Sequence, residues 1–413
     1  MPSDSVSPSP VAPALSPRLM SLDALRGFDM FWIMGGDALA ATLHKVGKDR
    51  VTEGIATQLE HVEWAGFHFY DLIFPLFVFI VGVSLVFSLR RTIEREGRAA
   101  ALKRVFWRTL LLFVVGLFYS GGFASRWPDI RLLGVLNRIA LCYGFTGLIF
   151  CCMGWRGMAV LCVELLAGYW ALMTFVPFPD LRPVNAAGEL LSPSMNITNA
   201  ASTAELNWAT TNRVRGVFEP GLNLAHYVDQ RLLPGKKWDK TWDPEGLLST
   251  LPAIATCLLG VFAGLWLQGQ SASDGRQAAW LLGIGALALG AGFAWGIQFP
   301  IVKKIWTSSF VLVAGGFSAM LLGVFHWVVE VRQWRGWCQP FVWYGMNPIT
   351  VYLADNIIGF RKVASRLLGG DVQAWLNGHV ATGCGDLLLA LGEIGVGLCL
   401  VWWLYRKKIF LRL

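Results

Sequence analysis

His61 and Asp71 stand ten residues apart, and Asp71 opens one of the most hydrophobic stretches of the chain, Leu72 to Leu89. That stretch is long enough to cross a bilayer. The pair is therefore expected at a membrane boundary, where the dielectric falls and pKa values become tunable. An imidazole beside a carboxylate can be oriented and stabilised as imidazolium, as a general base requires. Asp37, at the end of an earlier apolar span, can converge on the same place. Ionisable groups are costly there, so a functional role is the default reading. His68 competes with His61, but its neighbours Phe67 and Phe69 suit an interfacial packing residue better.

The first span is unusually polar, with Asp23, Arg26, Asp29 and Asp37 within it or at its edge. At roughly 100° per residue their directions fall within about a third of the helix circumference. One stripe of this helix must then face protein or a water-filled cavity. A salt-bridge seam between helices and a cavity through much of the membrane both meet that requirement. Arg26 and Asp37 are separated by about 16 Å of helix on one face. Asn137-Arg138 interrupts a later span, and an arginine there needs an anion, either a structural carboxylate such as Asp23 or Asp29 or a ligand phosphate. Asp243-Pro244-Glu245-Gly246 opens another, where proline and acidic residues suit a first helical turn, so capping alone would account for Glu245. Asn347-Pro348 falls inside a further span and can break it. There is no Walker loop, no dinucleotide-binding GxGxxG and no HExxH, which argues against nucleotide or zinc hydrolysis; no metal site is expected.

These groups must be positioned by membrane helices. The 413 residues are 55% hydrophobic and only 15% charged, whereas a soluble domain has roughly a quarter charged. The 20 Trp and 26 Phe suit interfacial belts and lipid-facing packing. The net charge of +8 resides largely in short loops between apolar spans, which marks topology and not nucleic-acid binding. Most of the eight cysteines (Cys142, Cys151, Cys152, Cys162, Cys257 and Cys399 among them) lie in apolar segments without CxxC spacing and read as small buried hydrophobes. The expected fold is all-α, a polytopic bundle of about ten transmembrane helices near 22–44, 70–90, 104–121, 131–152, 156–176, 246–268, 277–298, 306–330, 340–361 and 384–405. The basic loop Arg90, Arg91, Arg95, Arg98, Lys103 and Arg104 places the end of the second span in the cytoplasm, and both termini with it. His61 and the segment at about 177–245 then face outward. Residues 1–17, rich in Pro and Ser, read as a disordered cytoplasmic tail, and 18–413 as a single transmembrane domain. In the outward segment Trp208, Trp238 and Trp242 could form a lid or stack on a sugar ring, or simply sit in a connection, and Asn196-Ile197-Thr198 has the glycosylation pattern.

Taken in order, the motifs resemble the heparan-alpha-glucosaminide N-acetyltransferase family, including its bacterial relatives, within the transmembrane acyltransferases. The resemblance begins at Arg18-Leu19-Met20-Ser21-Leu22-Asp23-Ala24-Leu25-Arg26-Gly27. It continues through His61-x-x-Trp64-x-Gly66, Asp71-Leu72-Ile73-Phe74-Pro75, Gly134-Val135-Leu136-x-Arg138, Asp243-Pro244-Glu245-Gly246 and Gly345-Met346-Asn347. It implies a multi-span enzyme that takes acetyl from cytosolic acetyl-CoA and places it on an amino sugar, glucosamine or a terminal glucosaminide, at the outer face. The family's essential histidine falls on His61 and its following aspartate on Asp71. Asp37 stands where the animal lysosomal enzymes carry Asn.

On that resemblance His61, Asp71 and Asp37 are the candidate catalytic residues, with His61 as general base or acetyl carrier. Arg26, Arg138 and Asn347 are the candidate acetyl-CoA ligands, and Trp64, Asp243 and Glu245 the candidate acceptor ligands. The expected setting is the inner cell membrane, with the lipid bilayer, acetyl-CoA, the acceptor sugar and a homodimer as partners. Two other readings stay open: an amino-sugar transporter, and an O-acetyltransferase of an envelope polysaccharide.

Overall fold

The computed structural model describes residues 19–47, 49–180, 182, 212–269 and 275–410. It is a helical bundle with one short antiparallel pair, Phe178–Pro179 with Arg213–Val214. The long helices are α1 (Met20–Val46), α3 (Phe69–Glu96), α4 (Arg98–Tyr119), α5 (Val135–Cys152), α6 (Trp155–Phe175), α8 (Thr250–Gln268), α9 (Gly275–Gly296), α10 (Ser308–His326, continued by a π-helical turn to Val331) and α15 (Cys384–Arg406). Between them lie the short helices α2 (Arg50–Gln58), α7 (Leu224–Leu232), α11 (Gln339–Met346), α12 (Pro348–Ile358), α13 (Phe360–Leu368) and α14 (Asp371–His379).

Among the described residues seven helices are long and apolar enough to cross a membrane: α3, α5, α6, α8, α9, α10 with its π turn, and α15. The chain is thus a multi-pass membrane bundle, but the expected count of about ten is not reproduced as ten uninterrupted apolar spans. α1 and α4 are long yet carry four or more charged residues each, some of which, Asp23, Arg26, Asp37, Arg104 and Arg108, line the cavities described below. The ninth expected span is broken. Asn347 leaves the helical conformation at φ −134°, and Pro348 starts α12 where its missing N–H costs nothing. The tail 1–17, Trp208 and the Asn196 sequon lie outside the described residues.

Helices approach closely where glycine replaces a side chain. Gly82 of α3 faces Gly260 of α8, Gly27 of α1 faces Gly345 of α11, and Gly285 of α9 faces Gly316 of α10. At each crossing an added Cβ would run into a backbone carbonyl, for example that of Cys257 at Gly82. Lipid tails are as apolar as leucine, so such crossings hold the bundle by close packing, not by the hydrophobic effect. The central helices α3, α8 and α10 are mostly buried, whereas α6, α9 and α15 turn most of their surface outward, as lipid-facing helices do.

Gly82→Val should therefore destabilise the protein by about 1–3 kcal/mol or more in thermal unfolding of the detergent-solubilised protein. Gly168→Ala, whose added methyl meets no atom within 4 Å, should leave the transition unchanged or slightly raised.

Candidate functional site

Asp71 occupies the first turn of α3 and is 1% exposed. Its Oδ2 accepts from the backbone N–H groups of Val62 (3.2 Å) and His68 (3.1 Å), which pins the connection before α3 against the helix start. Oδ1 lies 2.9 Å from His61 Nδ1. An ionised carboxylate only accepts hydrogen bonds, so with Asp71 charged Nδ1 carries the proton and Nε2 holds the lone pair. Tyr70 packs against the imidazole, with ring centroids 4.7 Å apart. The expected pairing of His61 with Asp71 is thus present in the fold, with half of the His61 side chain still accessible.

A third group completes the cluster. Lys303, on the loop between α9 and α10, places Nζ 3.0 Å from His61 Nδ1, 3.3 Å from Nε2 and 3.4 Å from Asp71 Oδ1. Burial lowers its ammonium pKa from the ordinary lysine value, and Asp71 opposes the fall. Nothing in the sequence near Lys303 marks it. It lies 242 residues from His61, in a Lys-Lys pair that resembles an ordinary basic loop.

His61 and Lys303 open onto a cavity of about 300 Å³. Asp37 of α1, Glu245 and Tyr352 of α12 also line it, so two further carboxylates share the space with the imidazole. A second cavity of about 780 Å³ lies further along the bundle and is lined by Arg26, Arg91, Arg104 and Arg108. Four residues, Phe77, Ile139, Pro348 and Ile349, line both cavities, so the two abut. On α1 the lining residues Leu19, Leu22, Asp23, Arg26, Met30, Ile33 and Asp37 recur every three or four positions, as one face of a helix does. The polar stripe of the first helix therefore faces cavity space. Asp29 falls at its margin: both its carboxyl oxygens are buried without a hydrogen-bond partner among the described residues.

The remaining expected ligands divide. Arg26 lines the arginine cavity and is held by Asp23 (3.2 Å), Ser84 (2.5 Å) and the Gly345 carbonyl (3.1 Å). Arg138 lines neither cavity. It braces the start of α8, donating to the Gly246 carbonyl (3.1 Å) and Ser249 Oγ (2.5 Å), and sits over the Trp306 ring; neither Asp23 nor Asp29 is its partner. Asn347 also lines neither cavity, although its neighbours Met346 and Pro348 do; its side chain donates to the Ile409 carbonyl (3.0 Å). Arg91, Arg104 and Arg108 were not among the expected ligands. Arg104 and Arg108 sit one helical turn apart on α4, a spacing that puts them on one face.

Near the His61 cavity the chain 212–249 forms a polar cap. Arg131 pairs with Asp243 (2.7 Å) and Glu245 (2.7 Å), and its guanidinium lies over the exposed Trp238 ring. Burial works against the charge on Arg131, but the two carboxylates outweigh it and raise its pKa. Burial raises the Glu245 carboxyl, and the adjacent Asp243 adds to that rise. Asp243 thus serves the cap, whereas Glu245 also reaches the cavity. Trp242, a possible sugar platform from sequence, is fully buried and stacks on His226 at 3.6 Å. Trp64 supports the same cap, donating to the Phe218 carbonyl at 2.8 Å and lining neither cavity.

The fold and site define a class: a multi-pass helix-bundle membrane protein with a histidine–carboxylate pair at one end of an internal cavity and arginines at the other. A family model for the catalytic region of heparan-alpha-glucosaminide N-acetyltransferase matches residues 18–196. The human enzyme of that name is 27% identical over 382 residues, covering 83% of this chain and 53% of the human protein. The mouse enzyme is 27% identical over 339 residues, covering 72% of this chain and 49% of its own length. Over most of its length the chain is thus similar to heparan-alpha-glucosaminide N-acetyltransferases, and it spans about half the length of these curated relatives.

Removing one partner of a buried charge network leaves the others uncompensated, at about 3–5 kcal/mol. Arg131→Met should accordingly weaken the cap by that amount, seen as faster amide exchange across residues 224–246. Unchanged exchange would show that the Arg131 pairs carry no net stability.

Proposed function

We propose that this chain is a membrane-embedded acetyltransferase that moves acetyl from acetyl-CoA on the cytoplasmic side to an amino sugar on the outer side. One observation carries the reading: the arginine cavity and the His61 cavity abut through Phe77, Ile139, Pro348 and Ile349. The donor's three phosphate groups need cations, and Arg26, Arg91, Arg104 and Arg108 supply them at one end. Those arginines adjoin the basic ends of α3 and α4 around Gly97, and clustered basic residues favour the cytoplasmic side under the positive-inside rule. The pantetheine arm then lies past the four shared residues, and the thioester comes to rest near His61.

At the other end Asp37 and Glu245 attract an ammonium-bearing acceptor, which favours an amine over a neutral hydroxyl. The ammonium first releases one proton to solvent, since only the neutral amine can attack. His61 Nε2 takes the second proton as the amine nitrogen bonds to the acetyl carbonyl carbon. The carbon–sulfur bond breaks as the carbonyl re-forms, and the imidazolium returns its proton to the departing thiolate. Asp71 holds the ring by Nδ1 and stabilises the imidazolium in between.

His61→Ala should lower transfer from acetyl-CoA to glucosamine by about 10²–10⁴-fold with donor binding intact. Undiminished transfer removes His61 from the mechanism. Acetyl found on His61 after incubation with donor alone would replace general-base transfer with a carrier route. Filling the junction by Ile139→Trp should cost at least about a hundredfold in transfer while CoA still binds. Equal loss of CoA binding would place the nucleotide elsewhere.

A further inference from the structure

The loop 297–307 is built to hold a side chain in place. The Gly66 N–H donates to the Ile301 carbonyl (2.9 Å), and the Val302 N–H donates to Thr307 Oγ1 (3.1 Å). Tyr169 donates to the Ile305 carbonyl (2.5 Å), and Trp306 Nε1 donates to Thr256 Oγ1 (3.1 Å). Trp306 itself stands at φ +52°, a left-handed conformation that bulky residues rarely adopt and that persists only where surrounding contacts enforce it. Between these anchors Lys303 reaches the face of the imidazole.

His61 and Lys303 are two bases within reach of one carboxylate, Asp71. Two cations 3 Å apart repel strongly, so the cluster favours a single charge shared between them. We propose that Lys303 is a positioning residue of this site, whose ammonium keeps the His61 imidazole in its neutral, proton-accepting form. The functional meaning rests on the reading of His61 as the base. Other groups face the same space: Asp71 and Tyr70 from α3, Asp37 from α1, Glu245 from the lead into α8, and Tyr352 from α12. The carboxylates all favour imidazolium, and Lys303 is the cation that opposes them among the described residues lining the cavity. Without it His61 would be protonated more readily and would lose its role as base at higher pH than in the wild type.

The test is the pH dependence of His61 carbethoxylation by diethylpyrocarbonate, which reacts with neutral imidazole. The detergent-solubilised full chain is labelled from about pH 5 to 9, a range that brackets ordinary histidine titration, and the His61 peptide is quantified by mass spectrometry. Lys303→Met should move the midpoint of labelling up by about one pH unit or more, Lys303→Gln should do the same, and Lys303→Arg should leave it near wild type. The acidic limb of the transfer rate should move with it. Lys303→Gln, the closer match in size and polarity, decides the matter if the methionine variant loses its cooperative thermal transition. An unmoved midpoint in Lys303→Gln overturns the proposal. Labelling needs neither donor nor acceptor, so a moved midpoint in protein without transfer activity would keep this role for Lys303 and reject the acetyltransferase reading instead.

Discussion

One carboxylate organises this site. Asp71 accepts from Val62, His68, His61 and Lys303, so the connection before α3, the start of α3 and the α9–α10 loop all converge on its two oxygens. A buried charge in an apolar bundle persists only where the protein itself supplies its partners. Asp71 therefore fixes where the chain between α2 and α3 can run, and with it where the imidazole must sit.

The same constraint shapes the rest of the interior. α1 and α3 each turn one face toward the two cavities: Arg26 and Ser84 meet near one end, and Asp37 and Tyr70 line the other. Between them the wall is apolar, formed by Phe77, Ile139, Pro348 and Ile349. A charged group would be poorly solvated at that junction, whereas a thin, mostly uncharged arm would not. The break between α11 and α12 belongs to this wall: Pro348 lines both cavities, and Asn347 is tied back to Ile409. Irregular backbone at this depth is tolerated because it is buried in protein and borders a cavity.

What could be read from sequence divides along physical lines. Apolar length located the helices well, since crossing a bilayer imposes one length on all of them; where charges or Asn347-Pro348 interrupt the pattern, length alone over-counts uninterrupted spans. The polar stripe of α1 was legible from its period, and His61 with Asp71 from their nearness in sequence. Lys303 was not, because its partners lie 242 residues away and a paired lysine in a loop has an ordinary explanation. Arg91 and Arg104 read from sequence only as topology signals, although a basic residue can set topology and line a cavity at once. Arg138 is met differently: its Nη2 donates to a backbone carbonyl and a serine, while Nε and Nη1 are buried with no hydrogen-bond partner among the described residues.

In the proposed function donor and acceptor meet through the bundle from opposite sides. This arrangement is tested most directly in sealed proteoliposomes holding glucosamine, with membrane-impermeant acetyl-CoA supplied only outside. Acetylated glucosamine accumulating in the lumen while the vesicles stay sealed to free CoA is the result this account predicts. Product formed only when both substrates share one compartment would contradict it.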